Sequence, residues 1–285
     1  MKLILKNLDN SIHNRMHVIK KDVPCLDSSW HYHAQYELIY ITKSTGIRFV
    51  GDSVSHFEPG DLVLVGPNLP HLWRNDSSYY KEKESSNVLT FVTKFDKNFL
   101  GEDTFKIPVF HEINKLLDAS KYGVSFSKEV SSSLHNELIR MANVTPTEQR
   151  IKFLNILHRL SLTTNKTLLS SSDMRQITIE NNQRIDDVLK FISDNYTSYI
   201  TLNDVAEVAC MTTNSFCRFF KRMTNKSFTE FLNEVRIRNA SRLLIQDNLT
   251  ISEVCYSVGF NTPTNFNKRF KQIMGCTPKS FREAI

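Results

Sequence analysis

The sequence predicts two domains of different class: an N-terminal β-barrel with appended helices, then an all-α domain made of two helix-turn-helix pairs. Three observations predict it. A length of 285 residues is more than one hydrophobic core commonly serves. Short β-branched and aromatic runs fill residues 37–92 and give way to helical periodicity beyond about Pro108. The last third of the chain aligns on itself at an offset of about 50 residues.

Composition narrows the class. The chain is 40% hydrophobic and 23% charged, with only eight Gly and eight Pro, which excludes disordered and collagenous sequences. More than half of the net charge of +6 comes from residues 184–285, a mild basic bias compatible with a polyanionic partner. Five cysteines, Cys25, Cys210, Cys217, Cys255 and Cys276, are odd in number and lack CxxC spacing, so they read as reduced thiols of a cytoplasmic protein. Lys6 and Asp9 interrupt the N-terminus before a leader-like apolar stretch can form. No run of 18 apolar residues follows, so no membrane span is expected.

Strands are expected at residues 37–42, 47–50, 61–65 and 88–92, separated by Gly46, Gly51-Asp52, Pro59-Gly60-Asp61 and Pro67-Asn68. Strands this short and this evenly spaced suggest a small barrel or sandwich. Helices are expected at 110–117, 128–141 and 146–160, the last with Ile151, Leu154, Leu157 and His158 on one stripe. Such helices must cover the barrel or a partner chain, and a dimer contact is the expectation. Residues 161–183 turn polar and read as a linker, which gives domains at 1–160 and 184–285.

The repeat sets TLNDVAEVACM (201–211) over TISEVCYSVGF (250–260). Both segments open as capping-box helix starts, place a small residue (Ala206, Cys255) at a helix crossing, and end at a turn. After Asn261 the offset rises by one residue and pairs Thr212 with Thr262, Phe216 with Phe266, Phe220 with Phe270, and Met223 with Ile273. Helix-turn-helix motifs are thus expected at about 202–223 and 251–274. Phe216, Phe219, Phe220 and Met223, or Phe266, Phe270 and Ile273, form the inward stripes. The opposite stripes carry Asn214, Cys217, Arg218 and Lys221 in one copy, and Thr264, Asn267, Lys268 and Lys271 in the other. Arg and Lys can donate to guanine and Asn can pair with adenine, so these eight are the candidate DNA-binding residues. Between the motifs, Phe228, Phe231, Leu232 and Val235 lie on one side of a helix, and Ile237, Ala240 and Leu244 on the other. Such a helix is a strut between two subdomains.

The stretches RIRNASRLL (236–244), ISEVCYSVGF (251–260), FNKRFK (266–271) and GCTPKSFR (275–282) resemble the AraC/XylS family of transcriptional regulators, over residues 184–285. Three positions depart from that pattern: Cys255 stands where Ala is usual, Asn265 where an aromatic is common, and Asn225 for a frequent Gly.

His31, His33 and Glu37, then His71 within GPNLPHLW (66–73), resemble the two cupin motifs and imply a cupin-like, double-stranded β-helix barrel. Strand period puts His31, His33 and Glu37 on one face, where three imidazoles and a carboxylate suit a divalent transition metal. Three readings stay open: an effector pocket without metal, a metal-assisted effector site, and structural hydrogen bonding. No cofactor is required by the first or third. Trp73, with Tyr40, is a candidate apolar wall.

The expected function is a non-enzymatic, sequence-specific transcription regulator, controlled by a small-molecule effector in the barrel. Its expected partners are double-stranded promoter DNA and a second copy of the chain, with RNA polymerase as a further candidate. The alternative is a cupin-type metal-dependent enzyme with a helical appendage, a reading that leaves the repeat unexplained.

Overall fold

The computed structural model describes residues 15–26, 29–76, 78–81, 88–174, 182–245 and 249–284. Lys6 and Asp9 lie outside them, as does 175–181 of the expected linker. The chain divides into an N-terminal unit and a helical unit that begins near residue 179.

The N-terminal unit holds strands β1 (Met16–Val23), β2 (Tyr36–Lys43), β3 (Gly46–Val50), β4 (Ser53–Phe57), β5 (Leu62–Val65), β6 (His71–Asn75), β7 (Val88–Phe95), β8 (Val124–Phe126) and β9 (Lys166–Leu168). They form a six-stranded sheet, β1-β7-β2-β5-β8-β9, and a three-stranded sheet, β4-β3-β6. The registered pairs are antiparallel. Its helices are α1 (Ser78–Lys81), α2 (His111–Ala119), α3 (Lys128–Arg140) and α4 (Pro146–Leu162).

Side-chain alternation along β2 explains the layering. Ile39 and Ile41 point inward and meet Val63, Val92, Val50, Phe57 and Trp73 from both sheets. Tyr36, Leu38 and Tyr40 point outward, into a second cluster with Phe95 of β7 and Phe153, Ile156, Leu157 and Leu160 of α4. Both faces of β2 are therefore covered, which is why the strand reads as a near-continuous apolar run.

Helices α2 to α4 thus cover the large sheet. The buried stripe of α4 is Phe153, Ile156, Leu157 and Leu160, whereas Ile151 and His158 are exposed. The expected stripe was rotated because Ile151 and Leu154 fit the i, i+3 spacing without being its centre.

The expected linker begins too early. Its residues 166–168 form β9, paired with β8. Leu169 N and Ser170 N donate to Gly123 O and Tyr122 O at 2.9 and 2.7 Å. Ser170 Oγ and Ser171 N then donate to buried Asp52 at 3.0 and 2.8 Å. Met174 is buried in the barrel core. Polar composition signalled a linker where the hydroxyls are in fact satisfied by a carboxylate.

The helical unit contains α5 (Asn182–Asn195), α6 (Leu202–Val208), α7 (Thr213–Thr224), α8 (Phe228–Ile245), α9 (Ile251–Ser257), α10 (Pro263–Met274) and α11 (Pro278–Glu283). Thr201 and Thr250 close capping boxes with Asp204 and Glu253. Thr212 and Thr262 cap α7 and α10. One side of α8 packs Phe228 and Phe231 against Phe216 and Phe220 of α7. Its other side buries Ile237, Ala240 and Leu244 with Val254, Cys255, Phe266 and Phe270. At 18 residues α8 is roughly 27 Å long. No helix among the described residues is long and apolar enough to cross a membrane.

Candidate nucleic-acid interface and barrel site

In α7 the residues Phe216, Phe219, Phe220 and Met223 are buried, which turns Asn214, Cys217, Arg218 and Lys221 outward, all four exposed. In α10 Phe266 and Phe270 are buried and Ile273 half-buried, and Thr264, Asn267, Lys268 and Lys271 are exposed. All eight candidate DNA-contacting residues are therefore solvent-facing, four on each second helix of a pair. Each of these helices ends in a left-handed residue, Asn225 at φ 57° and Gly275 at φ 79°. Asn tolerates that conformation better than other residues with a Cβ, which accounts for the substitution at 225.

Two arginines of the family-like stretches act inside the fold. Arg236 donates to Tyr196 O and Ser198 O, both at 2.7 Å, and lies over the Phe260 ring. Arg282 donates to Leu244 O and Leu249 O at 3.2 and 2.7 Å. These side chains satisfy carbonyls at the end of α8 and in the loops after α5 and before α9.

In the barrel, His31, His33, Glu37 and His71 come together, each offering a ligand atom within 4.8 Å of the others. His31 and His33 lie ahead of β2 and not on a strand; His31 is held by a two-bond bridge to His71. Each ring spends Nδ1 on a backbone carbonyl: His31 on Ser29 O at 2.8 Å, His33 on Gln35 O at 3.0 Å, and His71 on Leu69 O at 2.8 Å. The Nε2 atoms of His33 and His71 then lie 2.6 and 3.3 Å from Glu37 Oε2. Burial, and then the neighbouring His71, pushes His31 down to about 3. Burial also lowers His33. Glu37 is raised by burial, but hydrogen bonds from His33 and His71 outweigh this and hold it well below the usual carboxylate range.

Trp73 sits beside the cluster, its ring 5.9 Å from that of His71. Tyr40 does not. It points to the helix-covered face, where its hydroxyl lies 2.7 Å from His135 Nδ1, because residues 37 and 40 differ by an odd number along β2. The residue that sequence reasoning missed is Lys94 on β7. It is buried, registers directly opposite Glu37, and places Nζ 3.4 Å from Glu37 Oε2. A lysine in phase with Val88 and Val92 was the available signal.

A helix-turn-helix domain model matches residues 205–284, and a cupin domain model matches residues 24–79. The HTH-type transcriptional regulator YdeC of Bacillus subtilis, itself described as uncharacterized, is 20% identical over 255 residues, 89% of this chain and 85% of that one. The lactose operon transcription activator of Staphylococcus xylosus is 25% identical over 252 residues, 85% of this chain and 81% of that one. The Msm operon regulatory protein of Streptococcus mutans is 33% identical over 101 residues, 35% and 36% of the two chains. Residues 205–284 thus carry an AraC-type helix-turn-helix domain, and the relatives that span most of the chain are transcriptional regulators. Among solved structures, the DNA-binding domain of AdpA in complex with a target DNA matches 35% of this chain and 91% of its own, with 24% identity and a TM-score of 0.34.

The cupin domain match raises the question of a metal, and the donor set fits one. A neutral imidazole has a single N–H, yet His33 and His71 each face two acceptors, a carbonyl and Glu37 Oε2. A divalent cation held by the three Nε2 atoms and Oε2 resolves that mismatch, and backbone carbonyls already orient the rings for it. Such an ion would supply charge neutralisation for Glu37 and tie the segment before β2 to β6.

Proposed function

We propose that α7 and α10 read promoter DNA from the major groove, Arg218, Asn214, Asn267 and Lys268 reaching base edges and Lys221 and Lys271 reaching phosphates. The observation that carries this reading is the doubled arrangement: in two helices of one unit, a buried Phe stripe forces an exposed basic and hydrogen-bonding stripe to the opposite side. One polar face is an ordinary solvated surface; the same face twice, at one sequence offset, calls for a partner with repeating geometry.

In this reading the barrel receives a small effector near His31, His33, Glu37, His71 and Trp73, and the chain works as a homodimer without catalysing a reaction. The effector acts by preferring one arrangement of two chains over another.

The test is a gel-shift series on promoter DNA. Arg218→Ala and Lys268→Ala should weaken specific binding while circular dichroism stays unchanged, and unaltered affinity in both would overturn the assignment. The second reading, a cupin-type metal-dependent enzyme, draws on the His/Glu cluster alone. Stoichiometric metal together with turnover would favour it.

A further inference from the structure

Three basic groups converge on one oxygen of the barrel. Glu37 Oε2 lies 2.6 Å from His33 Nε2, 3.3 Å from His71 Nε2 and 3.4 Å from Lys94 Nζ. Antiparallel register accounts for the lysine among them. His17 of β1, Lys94 of β7 and Glu37 of β2 are directly opposed across three adjacent strands, so their side chains project to the same inner face. Lys94 is thus built into the site by the sheet and does not drift in from the surface.

We propose that Lys94 is a tethered counter-cation, which a divalent transition-metal ion displaces from Glu37, and that this exchange sets the barrel's affinity for its ligand. The inference rests on the reading of the barrel as the ligand-receiving unit and names the ligand class.

The physical case has two parts. The three imidazoles and Glu37 present convergent donors, and a transition-metal ion would bind a carboxylate oxygen at roughly 2.0–2.2 Å. An ammonium 3.4 Å from that same oxygen would then stand close to a dication inside a buried pocket, where like charges repel strongly. The lysine stem is long and flexible enough to withdraw Nζ while its methylenes stay packed. Without metal, Lys94 keeps the Glu37 carboxylate paired, so the empty pocket holds no uncompensated charge. The site therefore exchanges one cation for another. That suits reversible occupancy better than permanent retention of a cofactor.

The experiment titrates the full chain with Co2+, following its visible d–d absorption, in the wild type, Lys94→Met and Lys94→Arg, with thermal melts to show that each variant folds. Wild type should bind one Co2+, Lys94→Met roughly ten- to a hundredfold more tightly, and Lys94→Arg close to wild type. Against a Glu37→Gln background, Lys94→Met should give no such gain, since the exchange runs through that carboxylate. Equal or weaker binding by Lys94→Met, a full gain persisting in Glu37→Gln, or no Co2+ bound by either wild type or Lys94→Met would overturn the proposal. Should Lys94→Met fail to fold, Lys94→Gln gives the same comparison. Promoter binding by the metal-free chain is scored separately, so a failed exchange leaves the DNA-reading assignment standing, and the reverse also holds.

Discussion

Cys210 and Gly259 occupy the same place in the two repeats and share a left-handed backbone, with φ of 52° and 88°. Each lies in the turn of its helix-turn-helix pair. The two differ in surroundings: a Cβ on Gly259 would fall 2.7 Å from Tyr196 O and 2.8 Å from Thr197 O. Gly259→Ala should therefore cost about 2–4 kcal/mol, from the left-handed penalty plus backbone crowding. Cys210→Gly should change stability by less than about 1 kcal/mol. Urea denaturation of the two variants checks the contrast, and similar midpoints for both would contradict it.

The exposed stripes of α7 and α10 are unequal, and in the proposed docking their variants should separate two kinds of contact. Arg218→Ala, at a proposed base-reading position, should lose about 1–3 kcal/mol on the specific site and relax base preference there. Lys221→Ala and Lys271→Ala should weaken binding to all sequences alike and reduce the salt slope by about one. Because α7 pairs Arg218 with Asn214 while α10 offers Thr264, Asn267 and Lys268, base changes under α7 should matter more. Affinity across a panel of single-base changes and salt concentrations measures both effects.

Asp52 pins the chain leaving the barrel. Its carboxylate accepts from Ser170 Oγ, Ser171 N and Ser171 Oγ. Asp52→Ala leaves Ser171 N and Ser171 Oγ without this acceptor, while Ser170 Oγ keeps Ser172 O, and should cost about 1–3 kcal/mol. Hydrogen exchange at Leu169, Ser170 and Ser171 should accelerate more than exchange in β2 or β7. Uniform protection across these segments would show that Asp52 is not the pin.

Acid should act on the helix starts of the DNA-binding unit. Thr250 N donates to Glu253 at 2.7 Å, and Thr201 N donates to Asp204 at 2.7 Å. These backbone hydrogen bonds, followed by those of the threonine hydroxyls, hold both carboxyls below their ordinary values of 4.5 and 3.8. A carboxyl with a lowered folded value stabilises fully above its unfolded value, and that contribution is lost as pH falls through the folded one. Glu253→Gln keeps the acceptor but cannot titrate. Its melting temperature should fall less steeply than that of wild type between about pH 5 and about pH 3.

The helical unit was largely legible because its signals are local. Thr201 and Thr250 mark helix starts by capping chemistry, and the Phe spacing fixes which face of α7 and α10 is buried. The barrel was legible in its motifs but not its pairings. β1, β4 and β6 carry polar or mixed residues whose burial is decided by neighbours far along the chain. Lys94 escaped notice for the same reason: nothing within a few residues of it shows that Glu37 lies across the ladder. Tyr40 was misplaced by one strand face, an error that period-2 counting from Glu37 corrects.

The unbroken helix α8 decides where elastic cost falls. Its two sides belong to two different cores, so it cannot stretch or swivel without opening one of them. In the proposed docking, one base pair inserted between the two contacted segments shifts the second by about 3.4 Å and rotates it by about 35° about the duplex axis. From Phe228 to Ile245 the helix has no break at which to follow that screw motion. The duplex must twist or bend to absorb it, so the sequence between the contacted segments would be selected for its stiffness although no side chain touches it.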